Sequence, residues 1–523
     1  MEKKKIGLIS ATFLGISSII GSGWLFAAYK TAEIAGPAAI ISWIVGGGII
    51  LLLALCFSEI ASLYPIRGLS AVVATISHNK HFGFPFAIAN WLGIVAVIAL
   101  EADATIEYLI NLFPHFKPYL FENNSLTLMG NGFSVLLVVM FCLINYWGVQ
   151  IMAKTNNILA VIKTFIPVVT ALIILTVSFK TANFTAVNNS FVPYGVGSIF
   201  TAIITCGIII SFNGFQTVVS FASELKKPHI NIPLSLVISI TFCLGIYLLL
   251  QVAYIGAMPP EIVKKGWKNI VMNAPMVQLS ASLGLGFLST IIYFGAFVAP
   301  SGTAIAFTGT ASRMFTAMAD NEQMPKFFAF VNPKVGLSRR SLVMNSLLAM
   351  IFILCFKNWS NLAIVLSLFH VLSYMPIPLA LIIFRKYVAS EKYKFRFKGG
   401  AIISLFLFII FNFLVMYGSG PVLIQLIIIL LVFQIIFILS ASRSIKLFVK
   451  GISQSLPVFI YFLLLCIITK LSPENAGVIK GAWFYVVGIV FSLVMFYFLI
   501  FFQNKDGSLA EVSLEKYMGM EGH

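Results

Sequence analysis

Lys163 is the residue whose type and place in the sequence point most directly to chemistry. It lies about seven residues into an apolar stretch, in Ala160-Val161-Ile162-Lys163-Thr164-Phe165. An ionised lysine in the middle of a bilayer costs about 2.5 to 3.5 kcal/mol, so such a residue needs a reason to be there. A desolvated lysine can gain and lose a proton, and we interpret Lys163 as a proton-coupling residue. The alternative is a side chain that extends to nearby headgroups.

Three acidic residues occupy another apolar stretch: Glu101, Asp103 and Glu107. On a helix, Glu101 and Asp103 point about 200° apart, so both cannot face one pocket. We expect Glu101, nearest the middle of the stretch, to bind a cationic group of a ligand or to relay a proton. A carboxyl satisfied by neighbouring hydroxyls is the alternative. His370 is a candidate proton carrier, with a hydrogen-bonded core histidine as the alternative.

Two glycine-centred segments interrupt long apolar stretches. They are Gly21-Ser22-Gly23 and Ser211-Phe212-Asn213-Gly214-Phe215. A membrane helix unwinds only where the freed backbone groups line a cavity or meet a ligand. Breaks at matching places in two halves of a chain are typical of the binding site of a secondary carrier.

The composition explains what positions these residues. The chain is 60% hydrophobic and 10% charged, with a mean hydropathy of +1.00, which is typical of an integral membrane protein. We count fourteen continuously apolar stretches, each long enough for a helix rather than a barrel strand. The six cysteines all lie in these stretches without a CxxC spacing, and no metal or cofactor motif is present.

The net charge of +17 indicates orientation rather than nucleic acid binding. Most lysines and arginines fall on one side when the N-terminus is placed in the cytoplasm, for example Lys3 to Lys5 and the run from Arg385 to Lys398. We therefore expect a multi-pass protein of the bacterial inner (plasma) membrane with both termini cytoplasmic. The lipid bilayer is an expected partner, and the sequence is silent on oligomeric state.

The position of the second break predicts an inverted repeat. Five spans precede it, and an odd number of crossings inverts the next unit. We expect a transport core at 1–385, with repeats at about 6–179 and 195–385, then accessory spans eleven to fourteen at 386–503 and a cytoplasmic tail at 504–523.

Three segments, in this order, resemble the amino acid-polyamine-organocation superfamily. They are Ile19-Ile20-Gly21-Ser22-Gly23-Trp24, the stretch from Ser211 through Ser223-Glu224-Leu225 to Pro233, and Ala311-Ser312-Arg313 onward to Pro325. The resemblance covers roughly residues 6–385 and is greatest with the bacterial aspartate:proton symporter branch. It departs at Gln216, where many relatives carry an acidic residue, and at Gly336-Leu337-Ser338.

The resemblance implies an all-α membrane protein with the leucine-transporter-like 5+5 inverted repeat and about four additional C-terminal helices. It implies proton-coupled import of an amino acid by alternating access, not an enzyme. The carboxylate would meet N–H groups at the start of the outer half-helix, and the ammonium group would meet carbonyls at the breaks. The substrate-binding residues would be Ile20, Gly21, Ser22, Gly23, Ser211, Phe212, Asn213, Gly214 and Glu101.

The same resemblance assigns the other roles. Lys163 would occupy the place where sodium-coupled relatives hold a cation, and Phe212 and Phe215 would gate the pocket. Apart from the resemblance, we expect Glu59, Arg313 and Glu224 to form gate or loop contacts on the cytoplasmic side.

Several alternatives stay open. Ser301, Thr303 and Thr308 could instead coordinate sodium, although such hydroxyls often bond their own backbone. An exchanger, or a carrier of cationic amino acids or polyamines, would use the same fold. A channel or a membrane enzyme is disfavoured, because the broken helices are paired and no nucleophile has a base beside it.

Overall fold

Long apolar runs in this chain form helices, since a helix satisfies its own backbone hydrogen bonds in lipid. The computed structural model describes residues 6–113, 115–122, 125–147, 149–332, 335–356, 359–442, 444–473 and 475–502, without side-chain detail at 149–157. The predicted tail at 504–523 and the basic residues Lys3 to Lys5 lie outside the described residues.

The described residues contain twenty-two α-helices. In chain order they are α1 (Leu8–Ile19), α2 (Gly23–Ala35), α3 (Ala39–Leu63), α4 (Leu69–Ser77), α5 (Lys80–Leu109), α6 (Lys117–Leu120), α7 (Leu128–Tyr146), α8 (Val149–Val177), α9 (Gly197–Thr205), α10 (Ile208–Phe212), α11 (Phe215–Ser220), α12 (Pro228–Ala257), α13 (Pro260–Val263), α14 (Pro275–Ser282), α15 (Gly286–Asp320), α16 (Arg339–Cys355), α17 (Trp359–Tyr374), α18 (Pro376–Tyr387), α19 (Gly400–Met416), α20 (Gly420–Ala441), α21 (Ile445–Leu471) and α22 (Ala482–Phe501). A short antiparallel pair, β1 (Phe121–Glu122) and β2 (Ser125–Leu126), joins α6 to α7.

Ten helical segments in the described residues are long and apolar enough to cross a membrane. The chain is therefore a multi-pass membrane protein. The other predicted spans coincide with broken or shorter helices: the first with α1 and α2, the sixth with α9 to α11, the ninth with α16 and the eleventh with α19.

The interior of the bundle is built around α5, α15 and α17. The apolar stretch of α5 is completely buried, and that of α17 and α18 is 94% buried, whereas α7, α20, α21 and α22 bury only 39% of theirs. The outer helices expose large apolar side chains, as surfaces in contact with lipid do. The acidic residues of α5 are thereby placed in the centre of the protein.

The last four helices pack on this interior. On α20, Gln434 donates from Nε2 to the carbonyl oxygen of His81 on α5 (3.0 Å) and to Ser455 Oγ on α21 (2.7 Å). On α21, Tyr461 donates to Asn412 Oδ1 on α19 (2.8 Å). These buried polar contacts fix the final helices to the end of α5 that carries His81.

Candidate functional site

The first span is broken where its glycines predict. Helix α1 ends at Ile19 and α2 begins at Gly23, and Ile20 has an extended backbone (φ −79°, ψ 94°). Gly21 is needed here because any larger residue would place its Cβ against the carboxylate of Glu101. The break therefore brings the backbone against an acidic side chain of α5.

The sixth span is broken one turn earlier than the sequence analysis places it. Gly207 has a left-handed backbone (φ +85°) between α9 and α10, whereas Ser211 and Phe212 are helical. Asn213 and Gly214 separate α10 from α11 but keep right-handed helical angles. Glycine is the residue that adopts this left-handed backbone most easily, so Gly207 is the main break of the sixth span. The sequence did not lead us to predict it.

The two broken spans touch at backbone distance. A Cβ on Gly214 would overlap backbone atoms of Ser18 and Ile19, so only glycine allows this approach. Between them, the hydroxyl of Tyr247 on α12 lies 3.0 Å from the carbonyl oxygen of Ile19 and 3.1 Å from that of Ser211. Carbonyls freed at both breaks therefore share one buried hydroxyl.

A cavity of about 10 Å³ lies between the breaks, which is room for about one water molecule. It brings together five of the predicted substrate-binding residues, Gly21, Ser22, Gly23, Ser211 and Glu101. The remaining lining residues are Ser18, Ile19, Val97, Gly207, Ile210, Thr303, Phe307 and Trp359. A cavity of this size is too small for an amino acid, so the side chains that line it must move before one binds.

Glu101 binds the backbone at the start of α2. Its Oε2 accepts a hydrogen bond of 2.7 Å from the backbone N–H of Ser22, and its side chain is buried. The sequence analysis assigns this N–H to a ligand carboxylate and Glu101 to a cationic group. In the structure the two predicted sites are instead bound to each other.

Lys163 points into the protein rather than to the headgroups. Its side chain is fully buried, and its Nζ donates to Thr303 Oγ1 on α15 (2.8 Å). Thr303 in turn donates to the carbonyl oxygen of Ile20 (2.9 Å) at the break. The alternative of a lysine that extends to the membrane surface is therefore wrong. Of the hydroxyls considered for sodium, Thr308 bonds its own helix at Ala304 (2.7 Å).

The two phenylalanines assigned to gating pack outside the cavity. Phe212 contacts the rings of Trp43 and Tyr247, with centroids 6.0 and 5.4 Å away. Phe215 packs on Phe57 and Tyr374. Neither ring is among the described residues that line the cavity.

Trp359, which the sequence analysis missed, closes one side of the cavity. Its Nε1 donates to Ser22 Oγ (2.9 Å), and its ring stacks on Phe26 (4.8 Å between centroids). Its other side faces a vestibule of about 270 Å³. We define this vestibule by its lining residues Phe26, Tyr29, Lys30, Glu107, Ile110, Asn111, Lys117, Phe121, Val271, Met272, Asn273, Trp359, Ser360 and Asn361. The tryptophan at the start of an apolar span is a weak signal, since seven tryptophans occur in the chain.

The other acidic residues of α5 do not face the cavity. Glu107 lines the vestibule and accepts a hydrogen bond from the backbone N–H of Trp359 (2.9 Å). Asp103 is fully buried, and neither of its carboxyl oxygens has a hydrogen-bond partner among the described residues. Glu101 and Asp103 point to different sides of α5, as the predicted angle of about 200° requires, and only Glu101 faces the cavity.

His370 is a hydrogen-bonded core residue beside the second break. Its Nδ1 lies 2.8 Å from the carbonyl oxygen of Leu366, so Nδ1 is the donor, and Nε2 lies 2.8 Å from Asn213 Nδ2. Asn213 Oδ1 accepts from Gln216 (2.7 Å) and Tyr374 (2.9 Å). These contacts orient the amide of Asn213 so that Nδ2 donates to His370, which fixes a neutral imidazole.

The end of the bundle opposite the vestibule is closed by ion pairs. Arg313 Nε lies 3.2 Å from Glu224 Oε1, and Glu59 accepts two hydrogen bonds from Arg385 (2.7 and 2.6 Å). The backbone N–H of Ile6 also donates to the carbonyl oxygen of Glu224 (2.9 Å). The cavity thus lies close to the vestibule and is closed off from the other end.

Known families and curated relatives match most of the chain. The family described as "Amino acid permease" matches residues 6–424, past the limit of 385 that the motifs indicate. The chain is similar to the glutamate/serine transporter AimA of Bacillus subtilis, with 34% identity over 501 residues that cover 94% of this chain and 93% of that protein. It is also similar to the aspartate-proton symporter of Bacillus subtilis, with 33% identity over 80% of each chain.

Solved structures resemble the fold. A manganese transporter of Eremococcus coleocola, in a mutant form, aligns over 88% of this chain and 95% of its own with a TM-score of 0.53 and 13% identity. A complex of the same transporter with an aromatic bis-isothiourea compound gives a TM-score of 0.54 and 14% identity. The predicted fold class, an all-α membrane protein of leucine-transporter-like architecture, is confirmed.

Proposed function

Because the chain belongs to the amino acid permease family, whose members are secondary transporters and not enzymes, we propose that it imports amino acids in symport with protons by alternating access. The bundle would lie in the bacterial inner membrane with both termini cytoplasmic. The vestibule would then open to the outside, and the Arg313–Glu224 pair would close the cytoplasmic end.

The contact chain from Lys163 through Thr303 to the carbonyl of Ile20 is the observation that carries the proton coupling. A protonated Lys163 donates to Thr303 and so holds α8 and α15 against the broken end of α1. A deprotonated amine loses one donor and its charge, and this link weakens. Protonation of Lys163 therefore acts on the helix that must move when the cavity changes sides.

The substrate would bind through both of its charged ends. N–H groups at the start of α2, at Ser22 and Gly23, suit the carboxylate because the positive end of the helix dipole lies there. The carbonyl of Ile20 and those near Ser211 to Gly214 suit the ammonium group. Phe212 and Phe215 would act as gates only in a conformation in which α10 and α11 have moved.

The names of the two relatives make glutamate, serine and aspartate the first substrates to test. The lining of the cavity favours serine, the neutral member of this set. None of the described lining residues is a lysine or arginine that would pair with a side-chain carboxylate.

We propose the following division of the chain. Residues 1–385 form the transport core, with repeats at about 6–179 and 195–385, and the helices at 386–503 are accessory. The contacts of α20 and α21 with α5 support an accessory role, because they fix the part of the bundle that stays still.

Uptake into proteoliposomes tests this function. Purified protein should accumulate labelled serine, aspartate or glutamate when the outside is made acidic relative to the lumen, and a protonophore should abolish the accumulation. Saturable arginine uptake that needs arginine on both sides would instead indicate a cationic exchanger. Accumulation driven by a sodium gradient at equal pH would show that sodium, and not the proton, is the coupling ion.

A further inference from the structure

The carboxylate of Glu101 occupies the position that the proposed function assigns to the carboxylate of the substrate. Its Oε2 lies 2.7 Å from the backbone nitrogen of Ser22, at the N-terminus of α2. The hydroxyl of Ser22 interacts with the same carboxylate and accepts from Trp359 Nε1 (2.9 Å), which leaves its own hydrogen for Glu101. Glu101 is thus held as an acceptor of hydrogen bonds.

A second observation is that a buried hydroxyl at this end of the cavity has no hydrogen-bond partner among the described residues. Ser18 Oγ lines the cavity, is 2% exposed as a residue, and has no hydrogen-bond partner among the described residues. Buried hydroxyls are usually paired, so an unpaired one that faces a cavity points to a missing polar ligand. The ligand would lie between Ser18 and the N-terminus of α2.

Two carboxylates cannot share this site. Like charges a few ångströms apart repel strongly where water is excluded, and Ser22 offers only one backbone N–H. Glu101 lies in the buried apolar stretch of α5, so a change of its side-chain rotamer is the smallest movement that frees the N–H of Ser22. The charge of Glu101 must therefore be removed before a carboxylate enters.

We infer that Glu101 is an internal carboxylate that holds the N-terminus of α2 in the empty carrier and gives up this position, on taking a proton, to the carboxylate of the amino acid. This inference rests on the proposed function and adds to Lys163, which acts on the movement of α1, a second proton-binding group at the substrate site itself. One O–H bond forms on Glu101 as one O–H bond breaks in a hydronium ion of the vestibule, which becomes water, and no covalent bond of the amino acid changes. The neutral acid can then donate its hydrogen to the incoming carboxylate.

Other titratable groups near Glu101 must be separated from it. They are Lys163 on α8 and Tyr247 on α12. Cys243 on α12 lies beside Lys163, and Asp103 and Glu107 follow further along α5 itself. Among the described residues, α15 contributes only Thr303 and Phe307 to the cavity around Glu101, and neither carries a charge. Helix α17 contributes Trp359, whereas His370 of the same helix is hydrogen-bonded to Asn213. Lys163 is the strongest competitor for any effect of pH, and it needs its own variant.

Binding of L-serine and L-glutamate to the purified protein, followed by thermal shift from mildly acidic to alkaline pH, tests the inference. We expect wild-type affinity to fall by up to about tenfold per pH unit once Glu101 ionises. Glu101→Gln should bind with an affinity that no longer falls. Asp103→Asn, which removes a buried carboxyl two residues away that faces α7, should keep the wild-type decline, and so should Lys163→Ala.

Proton uptake on binding gives a second measurement that needs no variant. Addition of L-serine to wild-type protein in weakly buffered alkaline solution should remove about one proton per bound amino acid, read with a pH dye. A Glu101→Gln protein that keeps the wild-type decline, or wild-type binding without proton uptake, would overturn the inference while pH-driven transport still stands. Absence of binding by any amino acid would overturn both the inference and the proposed function.

Discussion

Lys163 and Glu101 show what one residue can reveal in a membrane sequence. Both are identifiable because a charged side chain in an apolar stretch is costly and so needs a reason. Their partners are not identifiable, because Thr303 and Ser22 are common residue types distant in sequence. The bond between Glu101 and Ser22 depends on the packing of α5 against the first break.

Lys163→Ala should uncouple transport from the pH gradient. The variant loses the donor to Thr303 but leaves the cavity lining intact. We expect amino acid binding to survive in part and accumulation against a gradient to be lost in proteoliposomes. Lys180→Ala, which removes a loop lysine, is the control. Undiminished uphill uptake by Lys163→Ala would remove Lys163 from the mechanism.

Gly23→Leu should abolish transport without preventing membrane insertion. Gly23 lines the cavity, and a side chain there would collide with Ser211. Gly48→Leu is the matched control, because a Cβ at Gly48 meets no described atom within 4 Å. Uptake should be lost only in the first variant, with both proteins monodisperse in detergent. A normal uptake rate for Gly23→Leu would place the pocket elsewhere.

At the scale of elements, the sequence predicts helices well and breaks less well. Apolar stretches locate the spans because lipid allows few other structures. Gly21 and Gly23 locate the first break, since two glycines flank a serine there. In the sixth span, Gly207 carries the left-handed turn, whereas Gly214 serves the close approach to α1. A sequence pattern does not distinguish these two uses of glycine.

Gly207→Ala tests the position of the second break. The left-handed backbone should cost about 1 to 2 kcal/mol with a Cβ, and that Cβ would also meet the ring of Trp359 at 2.9 Å. We expect lower thermal stability and impaired uptake. Gly195→Ala has a similar φ of +81° but no described atom within 4 Å, so it isolates the backbone strain. Equal loss of uptake in both variants would contradict a specific role for Gly207.

At the scale of the whole molecule, ion pairs close one end of the bundle, whereas at the other end the side chain of Trp359 lies between the cavity and the vestibule. Arg313 is almost fully buried, pairs with Glu224 and stacks on Phe221 (3.9 Å) at the closed end. Among the described residues, Trp359 alone lines both the cavity and the vestibule and so separates them. Such an asymmetry is expected of one state of an alternating-access cycle. The sequence predicts the cycle but not which of its states the structure shows.

Arg313→Gln should shift the protein toward states open at the closed end. It keeps a polar side chain but removes the charge that pairs with Glu224. We expect a cysteine placed at Thr217, which is buried beside Thr310, to react faster with a thiol reagent when Arg313 is changed. A parallel Lys326→Gln change, at an exposed lysine of the same end, should leave the rate unchanged. Equal rates in all backgrounds would contradict a gating role.

The most direct test of the account is an experimental map of the protein with a saturating amino acid that it transports. We expect density between the two breaks, with the carboxylate of the amino acid on the backbone nitrogen of Ser22 and the side chain of Glu101 displaced. Density for the amino acid only in the vestibule, or a cavity that stays empty with Glu101 still bound to Ser22, would contradict it.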